Sequence, residues 1–128
     1  MAIQRVIVFT LIASSLISGS YAIAGTATYY NVYVPSSCYG FENQGTMIAA
    51  ANAALFNNSA ACGRRYRVRC TGSTNQGIPQ PCRNGEITVK IVDMCPGCEA
   101  NQVDLSLQAF ATIADLDAGR INIDFNPA

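Results

Sequence analysis

No histidine occurs in this chain, and charge is sparse and balanced, with eight Lys and Arg against eight Asp and Glu in 128 residues. Each absence removes a class of function. A zinc cage without histidine needs two closely spaced thiolate pairs, and only one C-x-x-C, Cys95-Pro96-Gly97-Cys98, is present. No metal or other cofactor is therefore expected. Without a basic excess, the electrostatic part of nucleic-acid affinity has no source. Beyond the N-terminus no segment approaches the ~20 apolar residues that a membrane-spanning helix requires. No internal repeat is visible.

The N-terminus carries Arg5 ahead of a mainly apolar run, Val6 to Ile17, and ends in Ala22-Ile23-Ala24, a small-x-small cleavage pattern. Residues 1–24 read as a secretion signal. The run is broken by Ser14, Ser15, Ser18 and Ser20, which argues against a membrane anchor. Cleavage leaves residues 25–128 as one small domain holding all six cysteines, with a net charge of −1 and no means of inserting in a membrane. Four arginines cluster in Arg64-Arg65-Tyr66-Arg67-Val68-Arg69, and period-two alternation puts Arg65, Arg67 and Arg69 on one strand face. That face is either simply solvated or a patch for an anionic partner such as pectic acid.

Alternation and β-branched content predict strands over Gly25–Tyr30, Tyr66–Cys70, Glu86–Asp93 and Ile121–Phe125. The alanine-rich segment Met47–Phe56 predicts a helix stopped at Asn57-Asn58. A second helix is predicted from Leu107, Phe110, Ala111 and Ala114, with Ser106 as N-cap. Thr71 to Pro81, polar with two prolines and two glycines, reads as a loop. Such a set favours a small, mostly β barrel or sandwich.

Six cysteines in a short secreted chain make three disulfides the economical reading, although fifteen pairings are open. A redox Cys95/Cys98 site would want a preceding βαβ unit, and none is present. The pair reads instead as the closure of a tight loop between the strand ending at Asp93 and the segment carrying Asp104. Each bridge adds on the order of 3 kcal/mol for loops of ~15 residues, which a domain this small needs.

Gly25-Thr26-Ala27-Thr28-Tyr29-Tyr30, Met47-Ile48-Ala49-Ala50-Ala51, Ala61-Cys62-Gly63, Tyr66-Arg67-Val68-Arg69-Cys70, Val92-Asp93-Met94-Cys95-Pro96 and Val103-Asp104-Leu105-Ser106 together resemble one family in order along the chain. It is the expansin-related group that shares a domain with family-45 endoglucanases, and within it the plant natriuretic peptide-like and blight-associated secreted proteins. The resemblance implies a six-stranded double-psi β-barrel with short helices, stapled by disulfides and open along one groove. It also implies the pairings Cys38–Cys62, Cys70–Cys82 and Cys95–Cys98, although relatives often carry one more residue between the last two cysteines. Expansins proper add a carbohydrate-binding domain after the barrel, and this chain stops at Ala128 without one.

Most glycosidases need two carboxylates, roughly 5–9.5 Å apart, one as acid and one as base or nucleophile. By resemblance Asp104 matches the family's general acid, in an H-F-D-L pattern that here reads Gln102-Val103-Asp104-Leu105. The family's base would fall at the end of Thr28-Tyr29-Tyr30-Asn31-Val32, and neither Asn31 nor Val32 ionises. No Asp or Glu lies anywhere from Gly25 to Phe41. Hydrolysis is expected to be lost, leaving Asp104 a vestigial acid; base-free lytic cleavage needs only the one acid. Thr28, Tyr30, Asp93 and Asp104 are the groove candidates. Each has a plainer reading beside it: Asp93 as an acceptor of turn N–H groups, Asp104 as a helix cap, and Tyr30 as a core tyrosine.

The expectation is thus a monomeric, secreted, non-hydrolytic protein of the apoplast. By resemblance it acts as a natriuretic-peptide-type signal in water and solute balance under stress, with a cell-surface receptor as partner and Cys38 to Arg67 as its active surface. The alternative is a binder or loosener of cell-wall polysaccharide. Asn57-Asn58-Ser59 is an N-glycosylation sequon, with Asn57 as acceptor.

Overall fold

The computed structural model describes residues 22–128, so the signal-segment reading lies almost wholly outside the described residues. Six strands are present: β1 (Ile23–Tyr30), β2 (Ile48–Asn52), β3 (Arg65–Ser73), β4 (Ile87–Cys95), β5 (Gln102–Ser106) and β6 (Ile121–Pro127). Two helices interleave them, α1 (Ala53–Phe56) and α2 (Leu107–Ile113), and a 3-10 turn spans Leu116–Ala118. The sheet closes on itself in the order β1-β5-β2-β4-β3-β6, so no strand edge is left open. Pairs β1/β5 and β2/β4 are parallel, and the other four are antiparallel.

Alternation builds the antiparallel half. In β3, Tyr66, Val68 and Cys70 are buried while the arginines between them are exposed. In β4, Ile87, Val89 and Ile91 point inward, and in β6 so do Ile121, Ile123 and Phe125. These side chains meet Leu105 of β5 and Phe110 of α2 in a single core. Fully burying one such side chain contributes about 1.5–3 kcal/mol.

The parallel half departs from the sequence reading. Met47–Phe56 is not one helix: Ile48–Asn52 is a strand, and only Ala53–Phe56 is helical. Alanine's helix preference is worth at most ~0.7 kcal/mol per residue over ordinary residues, and tertiary pairing overrides it here. β2 has hydrogen-bonded neighbours on both sides, β4 and β5, and all five of its residues are buried. Asn52 ends the strand and starts α1, its side-chain Oδ1 accepting from the Leu55 N–H at 2.9 Å and its Nδ2 donating to the Gln102 backbone carbonyl at 2.9 Å.

Ser106 does the same for α2, accepting from the Ala109 N–H at 3.0 Å. The helix buries Ala109, Phe110 and Ile113, leaving Leu107 and Ala111 half-buried. Three disulfides join Cys38–Cys62, Cys70–Cys82 and Cys95–Cys98, with Cα separations of 5.6, 5.3 and 5.4 Å. They pin the β1–β2 connection, the β3–β4 connection and the turn after β4. Gly25 marks a close crossing: a Cβ there would lie 2.0 Å from the Asn101 carbonyl oxygen, so only hydrogen fits where β1 passes the turn into β5.

Candidate functional site

Register across the parallel half lines up four residues. Thr28 of β1 opposes Asp104 of β5, Asp104 opposes Ala50 of β2, and Ala50 opposes Asp93 of β4. Residues opposed on neighbouring strands share a face. At about 4.8 Å per strand, the row runs roughly 14 Å across the barrel. Asp93 joins it because of an irregularity: Ala49 pairs with Ile91 but Ala50 with Asp93, leaving Val92 as an extra residue. Such a bulge re-aims the following side chain, here the carboxylate, onto the Ala50 face.

Asp104 is held by a directed chain of hydrogen bonds. The Thr28 hydroxyl donates to Asp104 Oδ1 at 2.9 Å, the Gln102 amide donates to Thr28 Oγ1 at 3.1 Å, and the Glu99 N–H donates to Gln102 Oε1 at 2.8 Å. Gln102 is 6 % exposed. Burial raises the Asp104 pKa above the usual carboxylate range because the charged form loses solvent, and the Thr28 hydrogen bond opposes that shift. Asp104 does not cap α2; Ser106 fills that position.

Asp93 is engaged differently. Its Oδ1 accepts from the Ser37 N–H at 3.0 Å, the Ser37 hydroxyl at 2.7 Å and the Met94 N–H at 2.9 Å. One oxygen is thus spent on anchoring the Ser36–Gly40 loop to the end of β4. Tyr30 completes the wall. Its ring meets Tyr33 edge-on at 5.2 Å, and its hydroxyl is buried without a hydrogen-bond partner. Burial pushes its pKa far above the ordinary tyrosine value, and the negative charges of Asp93 and Asp104 add to the shift. Tyr29 turns to the core instead, packing on Phe110 at 4.8 Å and donating to the Leu116 carbonyl.

All four sequence candidates, Thr28, Tyr30, Asp93 and Asp104, therefore lie on one face of the barrel, with Thr28 and Asp104 in direct contact. Ala50, Gln102 and Ser37 were missed. Gln102 could have been found, since it lies two residues from Asp104 and shares its strand face. Ala50 carries no signal, because its role depends on register. Asn31 and Val32 are exposed beyond the end of β1. Asn57 lies apart, exposed in the left-handed turn that ends α1. Among the described residues, no group of three or more Cys, Asp or Glu side chains is arranged to hold a metal ion. The site can hold a proton on one carboxyl group, hydrogen-bond hydroxyls along a line, and offer the edge of a half-buried tyrosine ring.

A family model described as lytic transglycolase matches residues 48–125. An EG45-like domain containing protein of Citrus jambhiri is 56% identical over 127 residues, covering 97% of this chain and 96% of its own. The chain belongs to the EG45-like domain proteins. EG45-like domain containing protein 2 of Arabidopsis thaliana is 38% identical and covers 99% of this chain and 97% of its own. Among solved structures, the apo expansin of Clavibacter michiganensis superposes with a TM-score of 0.68 at 25% identity. The EG45-like barrel covers 84% of its own length in that superposition and 50% of the expansin's. It is a double-psi β-barrel of expansin-related type, stapled by three disulfides.

Proposed function

We propose that this EG45-like protein is a secreted, non-hydrolytic, expansin-like protein whose groove holds a neutral cell-wall polysaccharide. One observation carries the reading: burial keeps Asp104 protonatable beside the Thr28 hydroxyl, while among the described residues the other carboxylate of the row, Asp93, is committed through Oδ1 to holding Ser37 and Met94. Asp93 stands two strands away, about 9–10 Å at Cα level, with one oxygen tied to Ser37 and Met94. Inverting hydrolysis needs a carboxylate free to activate water on the opposite face of the sugar. Ala50, lacking bulk between the two aspartates, leaves the floor open for a flat sugar chain, and the edge of Tyr30 supplies apolar area. The protein works as a monomer in the apoplast, without cofactor.

A second reading is kept by a separate observation. Phe41 and Val32, in the connection after β1, are 81% and 73% exposed. Exposed apolar side chains of this size suit a protein partner, as a signal of natriuretic-peptide type acting on water and solute balance would need. Of the segment Cys38 to Arg67, however, β2 is wholly buried, so such a surface is confined to the loops, the exposed start of α1 and the exposed arginines of β3.

Retention of the oxidised protein on cellulose and xyloglucan, beside Tyr30→Ala and Asp104→Asn, tests the first reading. Retention lost in both variants supports the groove. Absence of retention on either polymer, together with cell-surface binding that Phe41→Ser removes, supports the signal. Reducing ends released from soluble glucan, and lost in Asp104→Asn, would overturn the non-hydrolytic reading.

A further inference from the structure

The arginine row left unexplained by the groove has a structural setting of its own. Antiparallel register puts Arg65 of β3 directly opposite Lys90 of β4, and Arg67 opposite Thr88. Like charges placed opposite each other across strands destabilise a sheet. Arg69 has a partner, Asp124, at 3.1 Å, but among the described residues Arg65, Arg67 and Lys90 form no ion pair. On the β6 side, Arg67 faces Asn126, which is neutral. The one acid drawn to this region by hydrogen bonding is Glu42, which accepts from the Gln44 amide at 2.9 Å.

Arg65 and Lys90 also line a cavity of about 340 Å³, together with Gln44, Thr46 and Thr88. Lys90 is held in place, donating to Gln44 Oε1 and lying 5.3 Å from the centre of the Tyr39 ring. A cation positioned before binding loses little freedom on binding. Arg65 adds a planar fork matched to a carboxylate, and Gln44, Thr46 and Thr88 offer partners for hydroxyl groups.

We propose that this cavity and the adjoining Arg67 bind an acidic polysaccharide, a chain bearing a carboxylate on successive sugars. A polymer is favoured over a single anion because the cations extend beyond the cavity. Arg65 and Arg67 are two residues apart on one strand face, roughly 6.6 Å, and both are exposed. A free phosphate or sulfate engages Arg65 and Lys90 only, whereas a chain with repeated charges continues onto Arg67. The inference does not depend on what the groove holds.

The test measures retention of the oxidised full-length mature protein by polygalacturonate in affinity electrophoresis. Fully methyl-esterified polymer and inorganic phosphate serve as competitors. Binding should weaken tenfold or more in Arg65→Gln/Lys90→Gln, several-fold in Arg65→Gln or Arg67→Gln alone, and by less than twofold in Arg120→Gln, which removes the same charge as either single variant but elsewhere. Arg65→Gln alone should lose affinity while its thermal midpoint at low salt stays level or rises, since a like-charge contact has gone. Equal weakening in Arg120→Gln would reduce the effect to net charge and overturn the site. Displacement by phosphate at the same molar charge, or equal retention by esterified polymer, would overturn the acidic-chain assignment. Failure of polygalacturonate to retain the wild type would overturn both.

Discussion

The groove face and the arginine face belong to one barrel and are built on opposite principles. The arginine face lies on β4, β3 and β6, where over the antiparallel pairings inward residues are buried and those between them, Arg65, Arg67, Arg69, Lys90 and Asp124 included, are exposed or half-exposed. The groove face crosses β1, β5, β2 and β4, aligns Thr28, Asp104, Ala50 and Asp93 in one row with Tyr30 beside it, and depends on two parallel pairings and a bulge. Along a strand, function is repeated; across strands, it is assembled. The first needs only a sequence period, and the second needs register, which links residues as far apart as Thr28 and Asp104.

On that contrast, damage to the close pairings of the strands that carry the groove should spread through packing, while damage at the arginine face stays local. Gly25→Ala is expected to be the most severe change, because the new Cβ would overlap the Asn101 carbonyl oxygen and force β1 from β5. A loss of about 3 kcal/mol is expected from such overpacking, read by urea unfolding. Tyr30→Phe should act in the other direction. It removes a buried hydroxyl that has no partner, and unsatisfied buried groups cost about 1–3 kcal/mol. A gain near 1 kcal/mol is expected, with glycan retention little changed because the ring edge remains. Stability and retention falling together would show that the hydroxyl is satisfied in solution.

A smaller, pH-dependent effect is expected at Asp104. Its folded pKa is raised, so the folded state holds the proton to higher pH than the unfolded chain does. Stability must then fall as pH rises from the ordinary carboxylate range through the raised value, and stay lower above it. Asp104→Asn keeps an acceptor for Thr28 and removes this slope. Its melting-temperature advantage over wild type should widen between acid and neutral pH, and a constant gap would contradict burial as the cause. The smallest change is expected from Arg69→Gln. Its ion pair with Asp124 is largely exposed, and such pairs contribute about 0.2–1 kcal/mol. Unfolding should shift by less than ~0.5 kcal/mol, which would leave Arg69 a neutral neighbour of the acidic-chain site.

The same contrast explains what could be read from sequence. β3, β4 and β6 were legible because Val68, Val89 and Ile123 each sit two residues from another buried side chain. β2 was not, because Ala49-Ala50-Ala51 favours helix locally and becomes a strand only when β4 and β5 cover both sides. β5 does alternate, Val103 and Leu105 between Gln102, Asp104 and Ser106, but five residues with only two apolar ones are too short a run to stand out as a strand. Thr28, Tyr30, Asp93 and Asp104 were found through family motifs, yet their alignment in a row, the extra residue at Val92 and the open floor at Ala50 were not. Those features belong to pairings between segments and leave no trace in any one of them.

The Glu99–Gln102–Thr28–Asp104 chain has polarity as well as order. Because the Glu99 amide hydrogen occupies the carbonyl end of the Gln102 side chain, its NH₂ end must face Thr28, and the threonine hydrogen is left for Asp104 Oδ1. That oxygen is an acceptor in either ionisation state, so when Asp104 is neutral its own hydrogen resides on Oδ2. The barrel thus fixes from which side a glycosidic oxygen or a water could exchange a proton with it, a handedness inherited from a single glutamine.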